Sequence, residues 1–199
     1  MSRTEVVIPP GSSVLAAPRH RAVTVVLAAL VVLLVGFPSS VSWAQGYQAE
    51  VKAELIERFT RFVQWPAESS VSNPSLPFVV GIIGDASVAE ALERVVARTP
   101  IKGKRTEVRR LADAAGIAGC QLVFLSQSKD GLLEEVLAAV KGKPVLTVSE
   151  STGHARRGVV FNFSQEGEFV RFEVNPKAAE AAGLKVSPQL VALGILVGS

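Results

Sequence analysis

Few side chains in this 199-residue sequence could carry covalent or metal chemistry. Beyond residue 44 there is one cysteine (Cys120), one histidine (His154) and one tyrosine (Tyr47). A zinc centre wants three or four His, Cys or carboxylate ligands at close spacing, and the sequence offers no such group. A Cys120–His154 nucleophile pair is the remaining thiol chemistry. However, Cys120 opens the apolar run Leu122-Val123-Phe124-Leu125, where a cysteine is ordinarily a small buried hydrophobe. Reactive thiols need electropositive, partly exposed surroundings, so Cys120 is expected to be structural. One cysteine also makes no intrachain disulfide, and stability must come from packing. Gly81-Ile82-Ile83-Gly84 follows a strand start as a phosphate loop would. It lacks both the GxGxxG spacing and the Lys-Ser/Thr of a P-loop. No enzyme activity, cofactor or metal is therefore expected.

The remaining candidates are binding groups. Thr152 to Arg157 should form a loop at the carboxyl end of a parallel strand, where open α/β sheets bind ligands. His154, Arg156 and Arg157 in that loop could meet an anion or a partner carboxylate, and His154 is expected to be exposed. Trp65, a large amphipathic ring at a helix end, is either core or an anchor for a ligand or partner. Lys102-Gly103-Lys104-Arg105, with Arg109 and Arg110, is basic but lacks interleaved aromatics. It reads as a solvated turn and edge strand, so nucleic acid is not an expected partner.

The elements that must position these groups follow from periodicity. Val51 to Trp65 repeats apolar residues at three and four, predicting a helix stopped by Pro66. Phe78–Ile83, Gln121–Ser126 and Pro144–Ser149 are apolar runs of buried strands, and Thr106–Leu111 is a polar strand suited to an edge. Ser87-Val88-Ala89-Glu90 reads as a capping box opening a second helix, and Leu132–Val140 predicts a third. Val159–Phe163 and Glu168–Val174 are close enough to form an antiparallel hairpin. Asn175-Pro176 and Ser187-Pro188 then start two short helices, the first stopped by Gly183. This order predicts a three-layer α/β sandwich: a mostly parallel sheet with a C-terminal antiparallel β-hairpin and helices on both faces. The hairpin should extend the sheet at its margin. Phe161, Arg171, Glu173 and Ala179, on the hairpin and the helix after it, mix apolar anchors with charges as an interface hot spot does. The competing reading packs Phe161 and Phe163 under the final helix.

Residues 1–44 have the form of a Sec signal peptide. Arg3, Arg19 and Arg21 precede an apolar run from Ala22 to Val35, and Ser42-Trp43-Ala44 supplies small residues at −3 and −1. The run is shorter than the roughly 20 residues of a spanning helix. Export to the periplasm with cleavage after Ala44 is expected, leaving one domain over 45–199. The net charge of +3 falls to about +1 once three arginines and one glutamate leave with the leader. The basic pI therefore says nothing about acidic partners.

Taken in order, several segments resemble one family. Lys52-Ala53 with Phe59, Phe62, Val63, Trp65 and Pro66 looks like its opening helix. Cys120 before a buried strand, Leu146-Thr147-Val148-Ser149, Gly158, Phe172-Glu173-Val174-Asn175 and Ala182-Gly183-Leu184-Lys185-Val186-Ser187 complete the set. This is similar to the YfiR family of periplasmic proteins. The resemblance implies a non-enzymatic homodimeric repressor. Such a protein binds the periplasmic sensor region of an inner-membrane diguanylate cyclase, lowers cyclic di-GMP and so limits biofilm. It also implies sequestration by an outer-membrane peptidoglycan-associated lipoprotein. Relatives carry further cysteines where this chain has Ala155 and Asn162, a Gly-Gly where it has Arg157-Gly158, and an aromatic where it has His154. Redox tuning through disulfides is therefore not expected here. The alternative function is a small-ligand sensor, with its site near Trp65 or His154, reporting to another membrane protein such as a histidine kinase.

Overall fold

A computed structural model of the chain describes residues 41–166 and 169–198. The expected leader lies outside them, except that residues 41–44 open the first helix. Helix α1 (Val41–Arg61) buries Ala49, Ala53, Ile56 and Phe59, a stripe at spacings of three and four. It ends at Arg61 rather than at Trp65. The chain instead turns into a two-residue strand, β1 (Val63–Gln64), paired antiparallel with β8 (Lys185–Val186). Ser187 N donates to Phe62 O at 2.8 Å beside that pair. Backbone groups that a longer helix would have used internally are thus taken by a segment over a hundred residues away. Tertiary pairing has overridden the local pattern.

The main sheet has the order β3-β2-β4-β5-β6-β7-β9. Its strands are β2 (Phe78–Ile83), β3 (Thr106–Leu111), β4 (Leu122–Leu125), β5 (Leu146–Ser149), β6 (Phe161–Glu166), β7 (Phe169–Val174) and β9 (Ile195–Leu196). Every pairing is parallel except the β6–β7 hairpin. The helices are α2 (Ala86–Arg98), α3 (Leu133–Val140), α4 (Pro176–Ala181) and α5 (Pro188–Leu193). Strand alternation sorts side chains into two cores. Phe78, Val80, Ile82, Leu122, Phe124, Leu146, Val148, Phe161 and Phe163 pack with α1 and α2. Val79, Ile83, Val123 and Leu125 pack with α3 and Ile117 on the other face. Phe59 of α1 stacks on Phe161 with ring centroids 4.5 Å apart and lies 4.9 Å from Phe172. The layered sheet with an antiparallel hairpin is the architecture expected from the sequence, but the hairpin is not its margin, because the short β9 pairs outside β7.

Local chemistry sets the element ends. Asp85, not Ser87, caps α2: its Oδ1 accepts from Ser87 N at 2.9 Å and Val88 N at 3.2 Å. The expected capping box is therefore two residues out of register, because Gly84-Asp85 already turns the chain. Asn175 Oδ1 caps α4 through Ala178 N at 2.9 Å, and Gly183, at φ +69°, follows its C-cap. Lys104, buried, donates from Nζ to the carbonyls of Ser70 (3.2 Å), Val71 (2.9 Å) and Asn73, pinning the loop before β2.

The two margins of the sheet differ. β3 is bordered by charge: Glu107 pairs with Arg105 and with Arg109 (3.2 Å), and Arg110 pairs with Glu93 (3.1 Å). At the far side, β9 pairs only with Glu173 and Val174. There Leu193, Ile195 and Leu196 are half or more exposed.

Candidate functional site

Parallel strands align their carboxyl ends on one rim. On the face turned away from the aromatic core, β5 places Thr147 and Ser149, and β6 places Asn162. Ser149 is in register with Asn162, and Asn162 with Glu173 of β7. Asn162 Nδ2 donates to Glu173 Oε2 at 2.9 Å, so a polar row runs across three strands. Asn162 is buried, and its Oδ1 has no partner.

His154 closes over this row. It is 1% exposed, not the exposed side chain expected of its loop. Its Nδ1 lies 2.7 Å from Ser149 Oγ. Its Nε2 lies 2.6 Å from Oδ1 of Asp130, which belongs to the 3₁₀ turn Gln127–Leu132 after β4. The Nε2 approach is an ion-pair contact out of line for a hydrogen bond, so the nitrogen has distance but not direction. Burial pulls the imidazole below its ordinary 6.5, Asp130 opposes this, and Arg157 adds to it. Asp130 is held below the usual carboxylate range by the Ser151 hydroxyl, with His154 and Arg157 contributing.

A serine, a histidine and an aspartate in line suggest acyl transfer, but the arrangement is inverted. Ser149 is fully buried, whereas the Asp130 carboxylate is the half-exposed member. A nucleophile must reach substrate, and Ser149 Oγ does not. Cys120 gives no alternative. It is 4% exposed at the amino end of β4, the opposite end of the sheet from His154, and burial pushes its thiol up against the opposing pull of Arg109. The Cys120–His154 pair is thus excluded by topology. Among the described residues no three His, Cys, Asp or Glu side chains converge as a metal site would require, and no helix is long and apolar enough to cross a membrane.

The other expected ligand residues are dispersed. Arg157 pairs with Glu134, in the first turn of α3, at 2.8 Å, and Arg156 is exposed. Trp65 lies at the amino end of the sheet, edge-on to Phe78 at 5.4 Å, with Lys102 Nζ 5.5 Å from its ring centre. Its Nε1 is buried without a partner. It shares no site with the His154 loop. At the rim, a pocket of about 150 Å³ opens between Gln48, Lys52, Gln127, Glu150 and Ser164. Glu150 joins its walls, pairing with Lys52 and accepting from Gln127 N at 2.9 Å. A larger cavity of about 440 Å³ lies at the opposite end, beside Ser70, Cys120 and Gln121. Its polar groups are already engaged: Gln121 donates to Ser70 Oγ and Gly119 O and accepts from Val79 N.

The hairpin divides the expected partner residues. Phe161 is fully buried and Ala179 is 1% exposed, so neither presents a side chain to a partner. Phe161 packs on Phe59 of the first helix, not under the last one. Arg171 is exposed and Glu173 half-buried on the opposite face of β7. Alternation adds Phe169, 73% exposed, to that face, and the pairing Glu173↔Ile195 adds Ile195, 51% exposed. Phe169 was legible from its i,i+2 spacing to Arg171. Ile195 was not, because a two-residue strand after a six-residue helix carries no period.

A family model described as YfiR/HmsC-like matches residues 49–195. The ABC domain of Streptococcus pneumonia, solved in complex with L-Trp, is 10% identical with a TM-score of 0.51, covering 75% of this chain and 60% of that one. A conserved domain protein of Vibrio cholerae is 13% identical with a TM-score of 0.47, covering 74% and 59%. The chain spans about three fifths of each of these proteins, and its likeness to the first is one of α/β fold.

Proposed function

Because the chain belongs to the YfiR/HmsC-like family, we propose that it is a non-enzymatic periplasmic regulator. In this reading it binds the periplasmic sensor region of an inner-membrane diguanylate cyclase and holds the cyclase inactive, lowering cyclic di-GMP. It acts as a homodimer, and an outer-membrane peptidoglycan-associated lipoprotein relieves the repression by sequestering it. The observation that carries the reading is the family match over nearly all of residues 45–199. The buried state of Ser149 and Cys120 supports it, since neither nucleophile meets solvent.

In this reading the partner surface is the outer face of β7 and β9, with Phe169, Arg171, Glu173 and Ile195. Exposed apolar groups flanking two charges match what an interface core and its rim require. The rim pocket, at about 150 Å³, is below the ~300 Å³ at which small-ligand sites begin, so a ligand sensor would have to use the cavity of about 440 Å³ at the opposite end of the sheet. The test is a pull-down from detergent-solubilised membranes with mass spectrometry, alongside cyclic di-GMP measured with and without the gene. Co-purification of a cyclase, with cyclic di-GMP rising in the deletion, is expected. Recovery of a histidine kinase with unchanged cyclic di-GMP would select the alternative.

A further inference from the structure

Three contacts join the segment after β5 to the turn after β4 and the first turn of α3. Glu150 Oε1 accepts from Gln127 N, Asp130 meets His154 Nε2, and Arg157 pairs with Glu134. Of the groups involved, only an imidazole changes charge between about pH 5 and 8. His154 also organises its own turn: its carbonyl accepts from Arg157 N at 3.0 Å and from Val159 N at 3.1 Å. The next residue, Ala155, offers its carbonyl to Asn175 Nδ2 at 2.7 Å, and Asn175 in turn caps α4.

We infer that the segment Ser151–Gly158 is an acid-released clamp, in which protonation of His154 loosens the segment from the turn Gln127–Leu132 and from Asn175. Two effects compete when the ring gains its proton. Asp130 attracts the imidazolium, but its carboxylate is 54% exposed, so water screens the attraction. The ring itself is 1% exposed and loses nearly all its hydration. Arg157, on the same turn, opposes the new charge, although Glu134 partly neutralises it. In the charged ring Nδ1–H must donate to Ser149 Oγ, whose own proton then has to turn elsewhere within a buried site. Asn162 and Glu173 stand farther across the row and pair with each other. Burial therefore outweighs attraction, and the closed turn prefers the neutral ring.

The sign follows. The open segment titrates near 6.5 and the closed one lower, so opening takes up a proton. The clamp is fully closed above 6.5 and loosens as pH falls from there to the closed-state value. The experiment is hydrogen exchange of the full chain between about pH 7.5 and about pH 5, corrected for intrinsic rates. Amides of residues 151–160 should lose up to about tenfold in protection per pH unit below 6.5, while those of β2 hold. The variant His154→Phe should abolish the pH dependence within 151–160. Should that variant fail to fold, titration of the His154 ring resonance in the wild-type protein decides, His154 being the one histidine from Gln45 onward. A His154 midpoint below 6.5 with coincident loss of loop protection supports the clamp. A midpoint at or above 6.5, constant protection in the wild type, or the same loss in His154→Phe would overturn it.

Discussion

At Gly81 the absence of a side chain decides whether β2 fits. A Cβ there would lie 2.6 Å from Leu111 Cδ1 and 3.1 Å from Cys120 Sγ. Gly81→Ala should therefore destabilise by about 1–3 kcal/mol, the usual cost of overpacking. Urea unfolding would measure it, and Leu111→Ala in the same chain should recover part of the loss. An unchanged midpoint would mean that Leu111 moves aside freely. Cys120 belongs to the same packing. Cys120→Ala should cost about 1 kcal/mol and leave repression intact. Its raised thiol should react with a disulfide reagent only as the chain unfolds, and rapid native labelling would contradict that burial. The sequence reading of Cys120 as structural agrees with this environment, and the glycine at 81, which lacks phosphate-loop spacing, serves close packing instead. His154 differs because residue type does not reveal burial. Its partners Ser149, at the end of β5, and Asp130, in the turn after β4, meet only because β4 and β5 are neighbours.

At the scale of elements, the strands and helices that carry period in their own residues were legible, including the hairpin and its polar face. What escaped were features made by distant pairing. The end of α1 depends on β8, and the anchoring of the loop before β2 depends on three carbonyls closing on Lys104. Lys104→Met should leave those carbonyls short of a donor and cost about 1.5–3 kcal/mol, read as a lower urea midpoint. The face of β7 gives the functional counterpart. Glu173→Lys and Ile195→Asp should each weaken repression, raising cyclic di-GMP. Ile195→Asp should melt near the parent, and Glu173→Lys lower, because it removes the acceptor of the buried Asn162 Nδ2. Glu173→Gln, which keeps an acceptor for Asn162 Nδ2, separates loss of charge from loss of that hydrogen bond. Normal repression by both Glu173→Lys and Ile195→Asp would move the partner surface elsewhere, with the Trp65 end the next place to look.

At the scale of the whole molecule, maturation and assembly are the remaining questions. Export should yield a periplasmic chain beginning at Gln45, checked by N-terminal sequencing of that fraction. Recovery of the intact chain from the inner membrane would refute it. The bond to be cut, Ala44–Gln45, falls in the first turn of α1, so the processed helix would begin one turn later. The unlike margins of the sheet bear on how copies or partners can add to it. A filament built edge to edge needs a receptive strand on both sides of every subunit. Here one side is a fence of Arg105, Glu107, Arg109 and Arg110, which repels an incoming strand. The other is short and greasy, able to accept one neighbour. Edge-wise growth in this molecule therefore stops at the first addition, a built-in brake on fibril formation.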